Sequence, residues 1–276
     1  NGIPEGCGLI TPQMLPLVEL SQSEIDRIVA GVPGGAANVQ DIYPLAPLQE
    51  GFLFHHQMSQ EGDPYLLSSV TEFDTRARLE QYLAALRATI DRHDILRTAL
   101  AWEGLREPVQ VVWRRAPLPV EEVQLDAGAE AAQQLWRRHD PRRYRMDLGR
   151  APLLRACIAE DRARGRCLLL MLAHHLMSDH ESLEVLQEEI AAHLRGRESE
   201  LPAPLPFRNY VARARLGVSR EEHERFFHGL LGGVEEPTAP YGLLDVWGRD
   251  VGSGRRGFRW RATWARGCAA GRGCWG

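Results

Sequence analysis

The sequence predicts a mixed α/β fold. Three observations support this class: some segments carry apolar residues at the three- and four-residue steps of an amphipathic helix, others carry the apolar runs of buried strands, and the two kinds alternate without a fixed repeat length. The 276 residues allow one large domain or two small ones. A composition of 44% hydrophobic and 25% charged residues is ordinary for a globular chain and excludes a disordered or collagen-like protein.

The first segment and the first two helices are indicated by their proline, glycine and capping residues. Residues 1–20 contain three Pro and three Gly, so we expect an inter-domain linker there. Ser21 and Glu24 form a capping-box pattern that predicts the start of a short amphipathic helix. A second helix is predicted to begin at Pro47, which suits a first helical turn, and to end near His56.

Strands and helices then alternate through the middle of the chain. The strand over 167–174 is apolar almost throughout, as expected for a strand buried on both faces of a sheet. A second capping box at Ser219 begins the last predicted helix. Apolar residues at helical spacing predict helices over 79–92, 127–139 and 181–194. Apolar runs predict strands over 65–73, 109–113, 120–125, 153–160 and 167–174.

Charge, hydropathy and cysteine usage exclude several classes of protein. A formal net charge of −4, with no basic excess, argues against a nucleic-acid partner. The longest apolar run, at 167–173, is far shorter than the roughly 20 residues that span a bilayer, and no signal-peptide pattern is present, so we expect no membrane association. The five Cys lack the regular spacing of a disulfide framework, which favours a reduced, cytoplasmic protein.

Residues 246–276 differ in composition from the rest of the chain. They contain four of the seven Trp, eight Gly and seven Arg, and their net charge is +6. They lack helical or strand periodicity and have almost no aliphatic residues, so we expect no core there. A native basic tail is one interpretation. We favour a non-native or disordered ending, such as an out-of-frame reading of a GC-rich gene. A GC-rich gene also explains why the chain contains Arg but no Lys.

The clearest chemical signal is the segment 173–180, AHHLMSDH, which follows the apolar strand and precedes a helix. Side chains in such a turn project into a cleft, where the imidazole of His174 or His175 can act as a base near neutral pH. Two alternatives are a loop of exposed histidines and a metal site that also uses Asp179 and His180. We expect no metal, because adjacent residues on a strand point to opposite faces and rarely bind one ion together.

Five segments, in order along the chain, resemble motifs of the condensation domains of nonribosomal peptide synthetases, a branch of the chloramphenicol acetyltransferase-like acyltransferases. The fourth resembles the HHxxxDG motif, with His180 in place of the glycine. A single such motif is weak support, whereas five in the family's order are specific. The five segments are 43–51 (YPLAPLQEG), 92–98 (RHDILRT), 146–155 (MDLGRAPLLR), 173–180 and 207–212 (FRNYVA).

The resemblance covers residues 21–245 and implies a fold. Condensation domains have two acyltransferase-like lobes, and this part of the chain is similar to the N-terminal lobe with the start of the inter-lobe region. That lobe is a chloramphenicol acetyltransferase-like α/β unit, a mixed sheet with flanking helices. No second lobe is recognisable after residue 245, so we interpret the chain as a fragment of a longer protein.

The resemblance also implies an acyltransferase-type enzyme that forms peptide bonds. The amine of an acceptor aminoacyl thioester attacks a donor thioester carbonyl, and His175 deprotonates or positions that amine, while His174 packs inside. Asp179 is implied to pair with an arginine for structural support, and we favour Arg92 over Arg97. No directly bound cofactor is implied. Both substrates arrive on the 4′-phosphopantetheine of upstream and downstream carrier domains, in a synthetase that also holds an adenylation domain.

A second motif lies at the end of the second predicted helix. His55, His56, Gly62 and Asp63 resemble the HH[I/L]xxxxGD motif of dual epimerization/condensation domains, with Gln57 departing at the I/L position. This resemblance implies that the donor residue is inverted at Cα before condensation, which requires a second acid/base group. The alternative is that the two histidines only end a helix, where positive charge is favoured.

Two rival interpretations come from other functional classes. One is a stand-alone acyltransferase that uses a coenzyme A or carrier-bound thioester, which the linker-like N terminus disfavours. The other is a non-catalytic remnant or carrier-docking module, which the missing second lobe favours. Since the family places its site between two lobes, we expect the chain alone to form no peptide bond.

Overall fold

The computed structural model describes residues 2–59, 61–126, 130–235 and 259–261. Within these ranges no helix is both long and apolar enough to cross a bilayer. The helices are α1 (Gln22–Ala30), α2 (Pro47–Met58), α3 (Arg76–Arg92), α4 (Ala131–Arg138), α5 (His180–Leu194), α6 (Phe207–Leu216) and α7 (Arg220–Leu231). The strands are β1 (Val39–Pro44), β2 (Leu66–Phe73), β3 (Thr98–Ala101), β4 (Val109–Trp113), β5 (Val120–Glu122), β6 (Leu154–Asp161), β7 (Arg166–His174) and β8 (Arg259–Arg261).

The larger of two sheets is mixed, which agrees with the predicted α/β class. Its strand order is β5-β6-β7-β2-β8. The neighbours β6, β7 and β2 are antiparallel, whereas β5 pairs with β6 and β8 pairs with β2 in parallel. The central β7 is the predicted apolar strand, and its leucines at 168, 169, 170 and 172 are buried, which confirms its expected place inside the sheet.

The main core lies between this sheet and helix α3. Leu79, Leu83, Leu86 and Ile90, at the predicted helical steps, are buried in one cluster with the leucines of β7. Burying one such side chain stabilises the fold by about 1.5–3 kcal/mol relative to leaving it exposed. This packing fixes the strand that leads into the histidine-rich turn.

A second core forms on a smaller antiparallel sheet of order β1-β4-β3, and it includes the N-terminal segment. The Ile3 backbone N–H donates a 3.0 Å hydrogen bond to the Gln40 carbonyl. Residues 2–20 of the predicted inter-domain linker pack on this sheet, because apolar residues between the prolines and glycines are buried in the second core. Their role as a connection between domains stays a prediction. The buried residues of this segment are Ile3, Ile10, Leu15, Val18 and Leu20.

Some elements were not predicted from the sequence, and others have different bounds. The sequence did not indicate strands β1 and β3, because both short strands are held by pairing with β4 and local periodicity does not reveal long-range pairing. It also did not indicate helix α6. Strand β5 ends at Glu122, earlier than expected. Helix α4 begins at Ala131, and residues 127–129 of its predicted range lie outside the described residues.

The segment 246–276 contributes one strand. Arg259–Arg261 forms β8, which pairs in parallel with Val70, Thr71 and Glu72 of β2. The absence of strand periodicity in this segment did not indicate this short strand. Since β7 occupies only one edge of β2, the N–H and C=O groups of the other edge are available to an extended segment. The other residues of 246–276 lie outside the described ones, and a non-native ending stays a prediction.

Ile10→Ala is expected to lower the free energy of unfolding by about 2–5 kcal/mol, because Ile10 is 1% exposed in the second core. Leu9→Ala is the matched control: Leu9 is 61% exposed, and its truncation is expected to change stability by no more than about 0.5 kcal/mol. Equilibrium denaturant unfolding measures both variants. Equally small changes would contradict the burial of this segment in the second core.

Candidate active site

The two histidine motifs meet at one edge of the larger sheet. Strand β7 ends at His174, and a short 3₁₀ turn over His175–Met177 leads to α5. The other motif ends α2 and turns into β2, whose first residue, Leu66, pairs with His174. Because β2 and β7 are antiparallel neighbours, the start of one and the end of the other lie side by side.

His56, Asp63 and His174 form a buried cluster between these elements. His56 Nδ1 lies 3.0 Å from Asp63 Oδ2, and His174 Nε2 lies 3.2 Å from the same oxygen. The side chains of Asp63 and His174 are fully buried, and that of His56 is almost so. The other carboxylate oxygen, Oδ1, accepts a 3.1 Å hydrogen bond from the Tyr65 N–H. The cluster thus ties the end of α2, the start of β2 and the end of β7 together.

The ring orientations in this cluster follow from their backbone partners. His174 Nδ1 accepts a 3.1 Å hydrogen bond from the Leu176 N–H, so the ring proton resides on Nε2 and faces Asp63. That N–H is not well aligned with the carboxylate oxygen, which makes the contact more electrostatic than a hydrogen bond. Burial by itself would raise the pKa of the Asp63 carboxyl, but the neighbouring His174 and His56 rings outweigh burial and hold its pKa well below the usual value.

The same three residues are close enough together to be considered as metal ligands. The protonation of His174 argues against that use. A metal-bound imidazole normally donates its second ring N–H to an oxygen, whereas His174 Nδ1 accepts from a backbone N–H. A metal at Nε2 would require an imidazolate. We therefore interpret His56, Asp63 and His174 as a structural cluster, in which His56 is hydrogen-bonded to Asp63 and His174 is held beside it electrostatically.

The glycine of the second motif is required by the turn that places Asp63. Gly62 has φ +69°, and a Cβ at this position would lie 2.5 Å from the Arg142 carbonyl oxygen. The Asp63 N–H donates a 2.8 Å hydrogen bond to the Pro141 carbonyl, which holds the same two backbone segments together. The backbone around residue 141 thus sets the position from which Asp63 reaches the two rings.

His175 has the opposite ring protonation from His174. Its Nδ1 lies 2.5 Å from the Ser178 carbonyl oxygen, so Nδ1–H is the donor and Nε2 carries the lone pair. Its ring stacks on Phe52 with centroids 5.5 Å apart, and its backbone N–H donates to the Tyr65 carbonyl at 2.9 Å. The ring is half-buried, and within the described part of the chain Nε2 has no hydrogen-bond partner. This arrangement suits a base that accepts a proton or a hydrogen bond at Nε2.

Asp179 is the N-cap of α5, which corrects the expected ion pair. Its Oδ1 accepts a 2.8 Å hydrogen bond from the Ser182 N–H and a second bond from the Ser182 hydroxyl, and these bonds lower its pKa. The side chain is exposed, and neither Arg92 nor Arg97 contacts it. The capping requirement of α5 thus takes the carboxylate away from the arginines.

The two arginines have other partners. Arg92 Nε lies 3.0 Å from Glu189 Oε2 on α5, and His93 reaches the same oxygen at 2.9 Å. Arg97 is buried and donates to Gln40 Oε1 at 2.9 Å and to the backbone carbonyls around Trp113. Both arginines therefore make structural contacts near the site, but their partners lie outside the segment 173–180 that contains Asp179.

The two remaining motif histidines lie at the surface. His180 is the first helical residue of α5, and its Nε2 lies 3.4 Å from Glu184 Oε1. Because the backbone at this position is helical, it does not need the conformational freedom of the motif's glycine, and a histidine is accommodated. His55 is exposed, and its ring centroid lies 5.8 Å from that of Tyr65. The second motif is thereby divided: His56 and Asp63 are inside, and His55 is outside.

Gln49 belongs to the site but was missed in the sequence. It is buried, and its side-chain NH₂ donates to the Leu176 carbonyl at 2.9 Å and to Gln110 Oε1 at 3.1 Å. Its Oε1 accepts from the Ala46 N–H, which caps α2. It thus joins the first turn of α2 to the 3₁₀ turn that carries His175. The signal was its place inside the segment 43–51, which resembles a family motif.

The family model of the condensation domain matches residues 39–241 of this sequence. The chain belongs to the condensation domain family. This membership confirms the resemblance to condensation domains of nonribosomal peptide synthetases that the five motifs indicated. The dual epimerization/condensation subclass stays a prediction.

Curated relatives are much longer than this chain. Malpinin synthetase from Mortierella alpina is 51% identical over 249 residues, which is 90% of this chain and 3% of that protein. One of the linear gramicidin synthase proteins from Brevibacillus parabrevis is 32% identical over 247 residues, covering 87% of this chain and 5% of that protein. The chain thus corresponds to a small part of each synthetase.

Solved structures share the fold. The starter condensation domain of rhizomide synthetase, in a complex with C8-CoA, superposes with a TM-score of 0.57 at 20% identity, covering 71% of this chain and 46% of that one. A structure named CT superposes with a TM-score of 0.59 at 20% identity, covering 82% and 51%. These likenesses confirm the predicted chloramphenicol acetyltransferase-like fold class. The chain spans about half of each solved chain.

Asp63→Ala is expected to destabilise the chain by about 3–5 kcal/mol, because it removes the buried carboxylate that two imidazole rings share. Asp179→Ala is the matched control at an exposed N-cap and is expected to cost about 0.5–2 kcal/mol. Denaturant unfolding of both variants measures the ranking. A larger loss for Asp179→Ala would revive the expected ion pair of Asp179 with an arginine.

The stabilisation that Asp63 provides is expected to depend on pH. Its folded pKa lies below that of the unfolded chain, about 3.9. The stabilisation is therefore fully present above about pH 5 and is lost as the pH falls through 4 toward the folded pKa. The difference in unfolding free energy between the wild type and Asp63→Asn should therefore narrow as the pH falls from about 6 to about 3. A constant difference across that range would contradict the lowered pKa.

Proposed function

We propose that the chain contributes the N-terminal lobe of a condensation domain that forms a peptide bond between two carrier-bound aminoacyl thioesters. The observation that carries the proposal is His175, whose Nδ1–H is held by the Ser178 carbonyl and whose Nε2 lone pair is free of partners among the described residues. Membership of the condensation family supports the reaction class. His174 is buried with its Nε2 facing Asp63, and the Nε2 of the exposed His180 faces Glu184, so neither ring presents an Nε2 lone pair without a partner.

The proposed chemistry uses one proton-accepting nitrogen. The acceptor amine attacks the donor thioester carbonyl, a C–N bond forms, and the C–S bond breaks as the carrier thiol leaves. Nε2 of His175 accepts the amine proton or positions the amine by a hydrogen bond, while the Ser178 carbonyl keeps the ring oriented. Stacking on Phe52 restricts ring rotation, so the lone pair does not need to reorient during the reaction.

The proposed partners follow from the synthetase relatives. Donor and acceptor are delivered on the 4′-phosphopantetheine of upstream and downstream carrier domains, next to an adenylation domain, and no directly bound cofactor takes part. Malpinin synthetase and linear gramicidin synthase support this assignment, since this chain matches a small part of each much longer protein. We extend the proposal to a reduced cytoplasmic setting, which the free thiols of Cys7, Cys157 and Cys167 support.

We further propose that the chain alone is inactive and needs a second lobe. It spans about half of each solved condensation chain, so His175 has one wall of the expected cleft. Helix α7 also leaves large apolar side chains exposed, as expected of a face that another part of a longer protein covers. Loss of positioning and of solvent exclusion would remove most of the rate enhancement. The exposed residues of α7 are Phe226, Phe227, Leu230 and Leu231.

The test is a condensation assay with two loaded carrier domains, read by the mass of the dipeptidyl thioester. The chain joined in frame to a second lobe should form product, and His175→Ala should reduce the rate about 10²–10⁴-fold. His180→Ala, at an exposed histidine of the same motif, is the control and should retain activity. Product from the chain alone above a His175→Ala background would overturn the need for a second lobe.

Donor epimerization is a finer proposal, and the exposed histidine of the second motif supports it. His55 is accessible, and its neighbour Tyr65 packs on Phe52, which stacks on His175. His56 instead contacts Asp63 inside the protein. We therefore assign the second acid/base role to His55 and a structural role to His56.

His55→Ala in the two-lobed protein should slow Cα proton exchange of an L-donor by about 10²-fold or more, because one proton carrier is lost. Condensation of a pre-made D-donor should survive. His56→Ala should reduce both reactions together with the melting temperature, since it opens the buried cluster. Unchanged exchange in His55→Ala would favour the interpretation that the motif only ends a helix.

A further inference from the structure

A second cluster of metal-ligating side chains lies at the opposite side of the larger sheet from β2. Glu121 on β5 and Cys157 on β6 are register partners in adjacent parallel strands, so their side chains stand on the same face. His139, which follows α4, reaches this face. Its Nε2 lies 3.4 Å from Cys157 Sγ and 3.9 Å from Glu121 Oε2. Three elements therefore bring a thiol, an imidazole and a carboxylate together.

The imidazole of this cluster has the ring protonation that metal binding requires. His139 Nδ1 lies 3.4 Å from the Leu135 carbonyl oxygen, so Nδ1–H donates to that carbonyl and Nε2 presents its lone pair to Cys157 and Glu121. A second-sphere bond from the far ring nitrogen to a carbonyl is the ordinary arrangement for a metal-bound histidine. His174 has the reverse arrangement, because its Nδ1 accepts from the Leu176 N–H, and this suits a structural role.

The distances suit a tetrahedral ion. Zinc bonds of about 2.3 Å to sulfur and about 2.0–2.1 Å to nitrogen place the two ligand atoms about 3.5 Å apart, close to the 3.4 Å between Cys157 Sγ and His139 Nε2. The carboxylate is slightly too distant at 3.9 Å, but the Glu121 side chain is 67% exposed and free to rotate inward. The exposed Glu121 side chain places one edge of the cluster at the protein surface.

We propose that Glu121, His139 and Cys157 bind a zinc ion, with water as the fourth ligand. Binding converts the Cys157 thiol to a thiolate: the S–H proton is released to solvent, the sulfur lone pair forms the bond to zinc, and no electron is transferred. Thiolate, imidazole and carboxylate together favour zinc over magnesium or calcium, which prefer all-oxygen sites. The site links α4 to the outer strands of the sheet.

A catalytic Cys–His–Glu arrangement is the main chemical alternative, and the surroundings of the sulfur disfavour it. Cys157 is buried in the main core cluster. At 2% exposure its sulfur is out of reach of a substrate, which a catalytic nucleophile must contact. Without an ion, the Cys157 thiol and His139 would form only a weak hydrogen bond.

The experiment measures cobalt and zinc binding to the full chain without a histidine tag, with Cys268→Ser and Cys274→Ser introduced to remove the thiols of the C-terminal segment. Titration with Co²⁺ should give thiolate-to-cobalt charge-transfer absorption with a stoichiometry of one, and Zn²⁺ should displace it. Cys157→Ser should abolish the absorption. Cys167→Ser, at a buried thiol on β7 outside the cluster, is the matched control and should leave it unchanged.

A second variant keeps the test valid if Cys157→Ser destabilises the fold. Glu121→Ala changes an exposed side chain and should weaken zinc affinity by at least about tenfold while leaving the metal-free melting temperature unchanged. Absence of charge-transfer absorption in the parent chain, or equal zinc affinity in the parent and Glu121→Ala, would overturn the site. None of these readouts depends on peptide-bond formation, so the result is independent of the proposed function.

Discussion

The carboxylate of Asp63 faces the rings of His56 and His174 in the buried space between α2, β2 and β7. A buried charge is costly unless it is paired, so removing either the carboxylate or one of the rings would destabilise the whole cluster. Gly62 allows the backbone to approach Arg142 closely enough for this contact. The residue after His174 is His175, and the position of that candidate base therefore depends on the cluster behind it.

Backbone hydrogen bonds decide what each imidazole of this protein can do. A backbone N–H at Nδ1 turns the Nε2–H of His174 toward Asp63, whereas a backbone carbonyl at Nδ1 puts the lone pair of His175 and of His139 on Nε2. The same side chain thus serves as a structural donor, a candidate base and a candidate metal ligand. The local turn and not the residue type separates these roles.

Local signals explain why much of the fold was predictable from the sequence. The capping box at Ser21, the helical spacing of α3 and the apolar run of β7 each act within a few residues and each appeared as expected. The buried cluster was not predictable, because His56 and His174 are far apart in the chain and meet only through the pairing of β2 with β7. Asp179 was misassigned because a carboxylate at a helix start meets its capping need first.

The most direct test of this account is nitrogen-15 NMR of the histidine rings, which reports which nitrogen of each ring carries the proton. In the wild-type chain we expect an Nε2–H form for His174 and an Nδ1–H form for His175. In Asp63→Asn the His175 ring signals should broaden or shift, while those of the remote His139 should stay in place. An Nε2–H form for His175, or a His175 ring that Asp63→Asn leaves unchanged, would contradict the dependence of the candidate base on the buried carboxylate.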